Sequence, residues 1–481
     1  MSSTTVVQDI LTPVLGGKNV LEPGTKEYDE ANGSYFTQFN NAIKPSFIAQ
    51  PTSAGQVSSL VKALRPHLLS GDTQLAIRGT GHTPFAGSAN IQDGITLDLR
   101  NLKKISLNDD KSVVEVGVGE TWESLYTELE KHGLTAAGGR VARVGVTGFV
   151  LGGGLSLYST RNGFACDSVL SFELVLASSE IVQANASSNP ELWTSLKGGL
   201  NNFGILTSMK LKTIKSEPLW GGIAYYTPPT FSSFMAAAVD FALNEEDEDT
   251  HVIASAGYGF GQEVVVGCVY HTRGIEDAPS LQRFTSLPGL IESHSSLRKS
   301  SHIEAGEDLG RYTGHNVRTF YATLTIRPDL ALIETMYAKY QSTLTQIKDA
   351  EGLTFSFGFM PLSKSMLANS LKAGGNAFDI PASDGPLFIV LVNPTWASVA
   401  DDERVTAGTE KLVAEFRELA REKGLLHRWV FPNYAFWKED LFKSYGEESV
   451  ARLRGVAKTY DPEGIFQKAV PGGFKLEKSG Q

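Results

Sequence analysis

Cysteine is nearly missing. Cys166 and Cys268 are the only two in 481 residues, so at most one disulfide can form, and neither a disulfide scaffold nor a Cys-rich zinc site is available. No stretch approaches the ~18 to 20 consecutive apolar residues of a membrane span. Basic residues are in the minority, with 43 Lys+Arg against 53 Asp+Glu and a formal net charge of −10. That balance argues against nucleic acid or an anionic membrane as partner, since both select basic surfaces. Walker A, His-Glu-x-x-His and Gly-x-Ser-x-Gly sequences are all absent. The nine histidines are scattered without metal-ligand spacing, so no metal is expected; His302-Ile303-Glu304 alone makes no site. The opening MSSTTVVQDILTPVLGG has no basic n-region and is interrupted by Asp9, so no secretory signal is read and a cytoplasmic location is expected.

What the chain has in excess is glycine, 48 residues or one in ten, against ~7% as a usual share. Hydrophobic residues at 41% and charged residues at 20% describe an ordinary globular protein, and the length predicts two domains or subdomains. Val57, Leu60, Val61 and Leu64 form the apolar stripe of a helix, with Ser53 nearby as a cap. Strands are predicted at 74–78, 95–99 and 113–118, and a helix over 122–132. The composition shifts near Glu217-Pro218 and then runs through the acidic Glu245-Glu246-Asp247-Glu248-Asp249, read as a solvated loop. Beyond it, strands are predicted at 263–271, 319–326 and 387–392, with helices over 331–344 and 403–421: a sheet with helices on one face. From about Leu426 the composition is mixed again and is expected to rejoin the first section. The fold class is α+β.

Glycine concentrates in three loops. Arg78-Gly79-Thr80-Gly81-His82 follows a predicted strand and reads either as a nest of backbone N–H groups for phosphate oxygens, with Arg78 adding charge, or as a tight turn. The dinucleotide-binding Gly-x-Gly-x-x-Gly fingerprint is not met, because Pro84 holds the third glycine's place. From Arg143 to Gly154, five glycines are spaced by Val, Phe and Leu rather than by linker residues. Such spacing suggests a buried loop against a flat apolar object. The third run is Leu196-Lys197-Gly198-Gly199-Leu200-Asn201-Asn202-Phe203-Gly204-Ile205. Three such loops favour an extended, phosphate-bearing cofactor over three unrelated turns.

Taken in order with Gly163-Phe164-Ala165-Cys166-Asp167-Ser168-Val169 and the tail Tyr460-Asp461-Pro462-Glu463-Gly464-Ile465-Phe466, these runs resemble the berberine-bridge-enzyme-like FAD oxidoreductases of the vanillyl-alcohol-oxidase superfamily, fungal type. The resemblance covers nearly the whole chain. It implies an FAD-binding domain over 1–215, an inserted α+β substrate domain over 216–425 and a return to the FAD-binding domain over 426–481. It places the cofactor against Arg78, Gly79, Thr80, Gly81, His82, Thr83 and Gly87, then Gly145, Val146, Gly148, Gly152, Gly153 and Gly154, and finally Asp167, Val169, Gly204 and Ile205. It implies a covalent FAD carried by His82 alone, because Val141 stands where many members have a second, cysteine attachment.

For the chemistry, the resemblance assigns Tyr434 of the Asn433-Tyr434 pair to the flavin face as base or anchor, against the alternative of a half-buried core tyrosine. Val144 matches the position that gates dioxygen. Phe149 stands where many members have histidine and, with Tyr321 and Tyr434, is expected to meet substrate. Tyr321 shares the polar side of its strand with Thr319, Thr323 and Thr325, facing either solvent or a cavity. Phe355, Phe357 and Phe359 alternate on one face, read as core or as a substrate platform. A phenol with a free pKa of ~10 needs a cation or donor nearby to act as a base; Arg428 and Lys438 lie near Tyr434 in sequence, without a choice between them. The expected activity is an oxidase that moves a hydride from a small organic substrate, an alcohol of secondary metabolism, to flavin, with dioxygen giving hydrogen peroxide. The rival readings are a redox-neutral flavoprotein guiding a cyclisation or isomerisation, and a carbohydrate oxidase. Oligomeric state is not legible.

Overall fold

The computed structural model describes residues 3–244, 247–311 and 313–479. Glu245 and Glu246 of the acidic run, and the first two residues of the opening segment, lie outside the described residues. Three sheets organise the rest. The first has strands Phe47–Ala49, Ile95–Asp98 and Leu75–Arg78 in parallel, with Val20–Leu21 antiparallel at one edge. Parallel strands need a crossover, and the helix Ala54–Ser70 carries the chain from Phe47–Ala49 to Leu75–Arg78 on the other side of Ile95–Asp98, burying Val57, Leu60, Val61, Leu64 and Leu68. Ser53 caps it by accepting from the Gln56 N–H, and Gly71 closes it in the left-handed conformation. The carboxyl end of Leu75–Arg78 delivers the first glycine loop, the usual place for a ligand in a parallel sheet.

The second sheet is antiparallel, in the order Ile105–Leu107, Val113–Gly117, Ile205–Lys212, Val169–Val175, Ile181–Asn185. Both sheets share one apolar core, into which the tail helix Glu447–Tyr460 buries Val450, Leu453 and Val456. The third is a nine-stranded antiparallel sheet whose middle strands are Gln262–His271, Thr250–Gly259, Thr354–Leu362 and Leu387–Trp396. Helices Phe231–Asn244, Leu330–Ile347 and Asp402–Glu422 close a second core against it. Phe355, Phe357 and Phe359 are fully buried there, so they are core and not a substrate platform. Leu426–His427 is still a strand of this sheet, paired with Thr325–Ile326, so the sheet runs two residues past the expected switch at 425.

One expected strand is interrupted. The segment 319–326 divides into Arg318–Thr319 and Ala322–Ile326. The register against Leu387–Trp396 is the same on both sides of the break, with Thr319 opposite Thr395 and Ala322 opposite Val392. Pro394 therefore faces Phe320, and proline has no N–H to offer the ladder. Asn393 Nδ2 donates to the Phe320 carbonyl instead, at 3.0 Å. Tyr321 sits in this gap. Cys166 and Cys268 are both buried free thiols, so the single disulfide that two cysteines permit is not formed. Among the described residues no helix is long and apolar enough to cross a membrane, and no three His, Cys, Asp or Glu side chains cluster to hold a metal.

Candidate functional site

A cavity of about 300 Å³ lies where the three sheets meet. Gly79, Thr80, Gly81, His82 and Thr83 line it, together with Arg140, Val144, Gly145, Gly148, Phe149, Asn201 and Gly204. The large sheet contributes Tyr321 and the tail contributes Phe431, Asn433 and Tyr434. Among the described residues no Asp or Glu is in the wall.

The first glycine loop leaves its strand with Ile77 facing the cavity, so by strand alternation Arg78 faces away. Arg78 is fully buried, donates to the Ala31 carbonyl (2.7 Å) and Ser34 Oγ (2.8 Å), and stacks its guanidinium 3.6 Å from the Tyr35 ring. The charge expected at the cofactor is thus used inside the protein. His82 lies on the cavity wall with its ring stacked on Phe36 at 4.2 Å. Burial takes its pKa down to about 4, so the imidazole is neutral and carries a free lone pair at neutral pH.

The second loop divides by function. A Cβ on Gly145 would overlap the Thr80 side chain, so the two loops can touch only through glycine. A Cβ on Gly148 would meet nothing within 4 Å, which means that this glycine leaves open cavity rather than close packing. Gly152, Gly153 and Gly154 do not reach the wall; their missing Cβ atoms make room for Asn433, Phe378 and Phe149 respectively. The flat apolar objects behind these three glycines are therefore mostly the protein's own side chains. Other expected cofactor residues also stand off the cavity. Gly87 is a left-handed turn residue with φ 77°. Val146, Val169 and Ile205 are buried in the first core. Asp167 accepts from the Phe164 N–H (2.8 Å) and Asn376 Nδ2 (3.2 Å), and burial raises its pKa.

The polar end of the cavity turns on a residue that the sequence analysis missed. Arg140 Nη2 donates to the Tyr434 hydroxyl at 2.8 Å, across 294 positions of chain. Gly138 and Gly139 deliver it by passing so close over Trp122 that a Cβ on either would overlap the indole. Arg140 Nη1 lies 3.3 Å from His251 Nε2 and Nη2 lies 3.8 Å from Met360 Sδ. Burial, then Arg140, hold His251 well below the ordinary histidine range, so it is a neutral acceptor. Arg428 and Lys438 are committed elsewhere, Arg428 to the Ser444 carbonyl (2.6 Å) and Lys438 to Glu410 (2.7 Å). The only sequence signal for Arg140 was a charged residue inside a glycine-rich stretch.

Tyr434 is half-buried, edge-on to Tyr321 (5.6 Å between rings) and Phe431 (5.0 Å). Burial, then Tyr434, push the Tyr321 phenol up and keep it neutral. Asn433 lines the cavity but spends its amide on the second loop, accepting from the Gly154 N–H (3.0 Å) and donating to the Phe149 carbonyl (3.1 Å). Val144 and Phe149 line the wall half-buried, and Phe149 also meets Trp122 edge-on at 5.4 Å.

These residues fit FAD. Among the described residues the wall joins the glycine loop Gly79–Thr83, with no acidic side chain beside it, to open space next to Gly148 and apolar side chains. An FAD binding domain model matches residues 45–185. A FAD-dependent monooxygenase of Cochliobolus heterostrophus (tpcD) is 32% identical, covering 98% of this chain and 93% of its own length. One of Fusarium proliferatum (FUP4) is also 32% identical, covering 93% and 88%. A berberine-bridge-enzyme-like protein of Physcomitrella patens superposes with a TM-score of 0.78 over 99% of both chains, at 19% identity. The chain belongs to the family of these fungal FAD-dependent enzymes and shares the fold of the berberine-bridge-enzyme-like protein. It is an FAD-dependent oxidoreductase with the α+β fold of vanillyl-alcohol-oxidase-type enzymes. Carbohydrate oxidase from Microdochium nivale (TM-score 0.79, 20% identity, 98% and 99% covered) and 6-hydroxy-D-nicotine oxidase from Arthrobacter nicotinovorans (0.76, 22%, 93% and 96%) share that fold.

Proposed function

We propose that this protein is an oxidase of a small organic alcohol, with the cofactor lying along Gly79–Thr83, Gly145, Gly148 and Gly204 and linked covalently to His82. The reading rests above all on the Arg140–Tyr434 contact at the polar end of the cavity. Bound FAD supplies the hydride acceptor, which dioxygen restores with release of hydrogen peroxide. The rest of the chemistry belongs to the chain. Tyr434 meets the substrate hydroxyl and takes or directs its proton, while the Arg140 guanidinium balances negative charge developing on the phenol oxygen. Tyr321, Phe431 and Phe149 form apolar walls that exclude water and orient the reacting carbon. Asn433 is a positioning residue, fixing the tail to the second glycine loop. The lone pair of neutral His82 supports its role as the attachment point. Val144 supports an oxygen gate, being a short side chain on the wall.

The test is peroxide release from purified holoenzyme across alcohols, sugars and amines, with anaerobic bleaching of the flavin by the same compounds. Bleaching plus stoichiometric peroxide is the expected outcome; product without bleaching would instead mean redox-neutral chemistry. A monooxygenase is the second reading, carried by the names of the fungal relatives. Labelled dioxygen separates the two, because only a monooxygenase places label in the organic product.

A further inference from the structure

Among the described residues Arg140 is the one permanently charged side chain in the cavity wall, and its described partners are all uncharged: the Tyr434 phenol, the His251 imidazole and the Met360 thioether. No carboxylate among the described residues pairs with it. A guanidinium has five N–H donors in a fixed fork. The three contacts account for one hydrogen on Nη1 and two on Nη2, leaving Nε and the second Nη1 hydrogen without a described acceptor. A full charge held in a mostly apolar cavity without a counter-ion is costly. Each of these two remaining N–H groups can donate to an oxygen bearing negative charge.

We propose that Arg140 anchors an oxyanion of the substrate, so that the compound oxidised here carries a carboxylate or an ionised phenol or enol beside its reacting carbon. This deepens the proposed function and rests on it, since it takes the Tyr434 end of the cavity as the substrate end. The oxyanion completes the guanidinium's hydrogen bonding and sets the reacting carbon at a fixed distance from Tyr434. It also accounts for a wall with no acid among the described residues. A neutral sugar or simple alcohol would leave the guanidinium charge unpaired and bind weakly, because a site built for a charged partner rejects an analogue that lacks it.

The test uses FAD-loaded protein and ligand-induced changes in flavin absorbance, which need no turnover. Benzoate is compared with benzamide, and 4-nitrophenolate with nitrobenzene at a pH where the phenol is ionised. Wild-type protein should bind at least one anion roughly ten- to a hundred-fold more tightly than its neutral partner. The anion showing the larger preference tells carboxylate from phenolate. Arg140→Met should abolish that preference with little change for the neutral ligand, and Arg140→Lys, which keeps the charge and guards against misfolding, should retain part of it. Equal binding of charged and neutral ligands by wild-type protein would overturn the proposal. So would a preference that survives in Arg140→Met, or a variant altered only in sulfite addition to the flavin, which would assign the guanidinium to the cofactor. Absence of peroxide with every donor, alongside an intact anion preference, would overturn the oxidase reading and leave this one standing.

Discussion

Asn433 and Gly152 occupy one another's space: a Cβ on Gly152 would lie 2.6 Å from Asn433 Nδ2, while the Asn433 amide bonds the backbone at Phe149 and Gly154. The tail and the second glycine loop are thus locked together beside the cavity. Gly152→Ala should displace the amide, and Asn433→Leu should leave the Gly154 N–H and the Phe149 carbonyl unmet, each costing about 1–3 kcal/mol. Thermal denaturation of both variants checks this. If both melt like wild type, the lock carries no load.

His82 should hold the flavin covalently. Acid-precipitated wild-type protein should stay yellow, and His82→Ala should release its colour to the supernatant. Complete loss of flavin from precipitated wild type would disprove the linkage, and a peptide map placing the flavin on a cysteine would disprove single attachment.

Tyr434→Phe removes the hydroxyl that meets Arg140 and keeps the ring against Tyr321 and Phe431. If the phenol moves the proton, flavin reduction by substrate should slow by on the order of 10²–10⁴. If it only anchors, apparent affinity falls and the rate at saturation holds. Arg428→Ala and Lys438→Ala should leave reduction unchanged, since both side chains bond elsewhere.

Val144→Leu adds one methylene to the cavity wall. Stopped-flow mixing of reduced enzyme with air should then show reoxidation slowed far more than reduction. Wild-type reduced enzyme that is stable in air would refute the gate.

Acid should destabilise the fold through its buried imidazoles. His302 donates to or accepts from Tyr158 at 2.6 Å, and burial lowers its pKa to about 4. The unfolded chain, with histidine near ~6.5, binds the extra proton first. The stability this group contributes is therefore full above about pH 6.5 and declines as pH falls towards about 4. Melting temperature should drop across that window, and less steeply in His302→Gln. A variant with the wild-type slope would show that other groups carry the effect.

The parts of the molecule that obey a local period were legible. The stripe at Val57, Leu60, Val61 and Leu64 lies in a helix, and the strands at 75–78, 95–98 and 113–117 fall where alternation and β-branching put them. Contacts between distant segments were not. Arg140 reaches Tyr434 only because Gly138 and Gly139 pass over Trp122, and no spacing rule links positions 294 apart. Arg78 misled because its charge drew attention while the pleat decided its direction. The three glycines at 152–154 show a related limit: glycine in an apolar run reports that something is close, and here the close atoms include Asn433, Phe378 and Phe149.

The break opposite Pro394 has a consequence for how this pocket can be reshaped. By the register Pro394 lies on the opposite face from Tyr321 and does not line the cavity, yet its missing N–H leaves the ladder open where that ring is presented. A residue with an N–H at 394 would let the ladder close through Phe320 and re-aim Tyr321, altering the space beside Tyr434 without substituting any wall residue. Selectivity can therefore be tuned from behind the sheet, by substitutions that a search confined to the lining would never include.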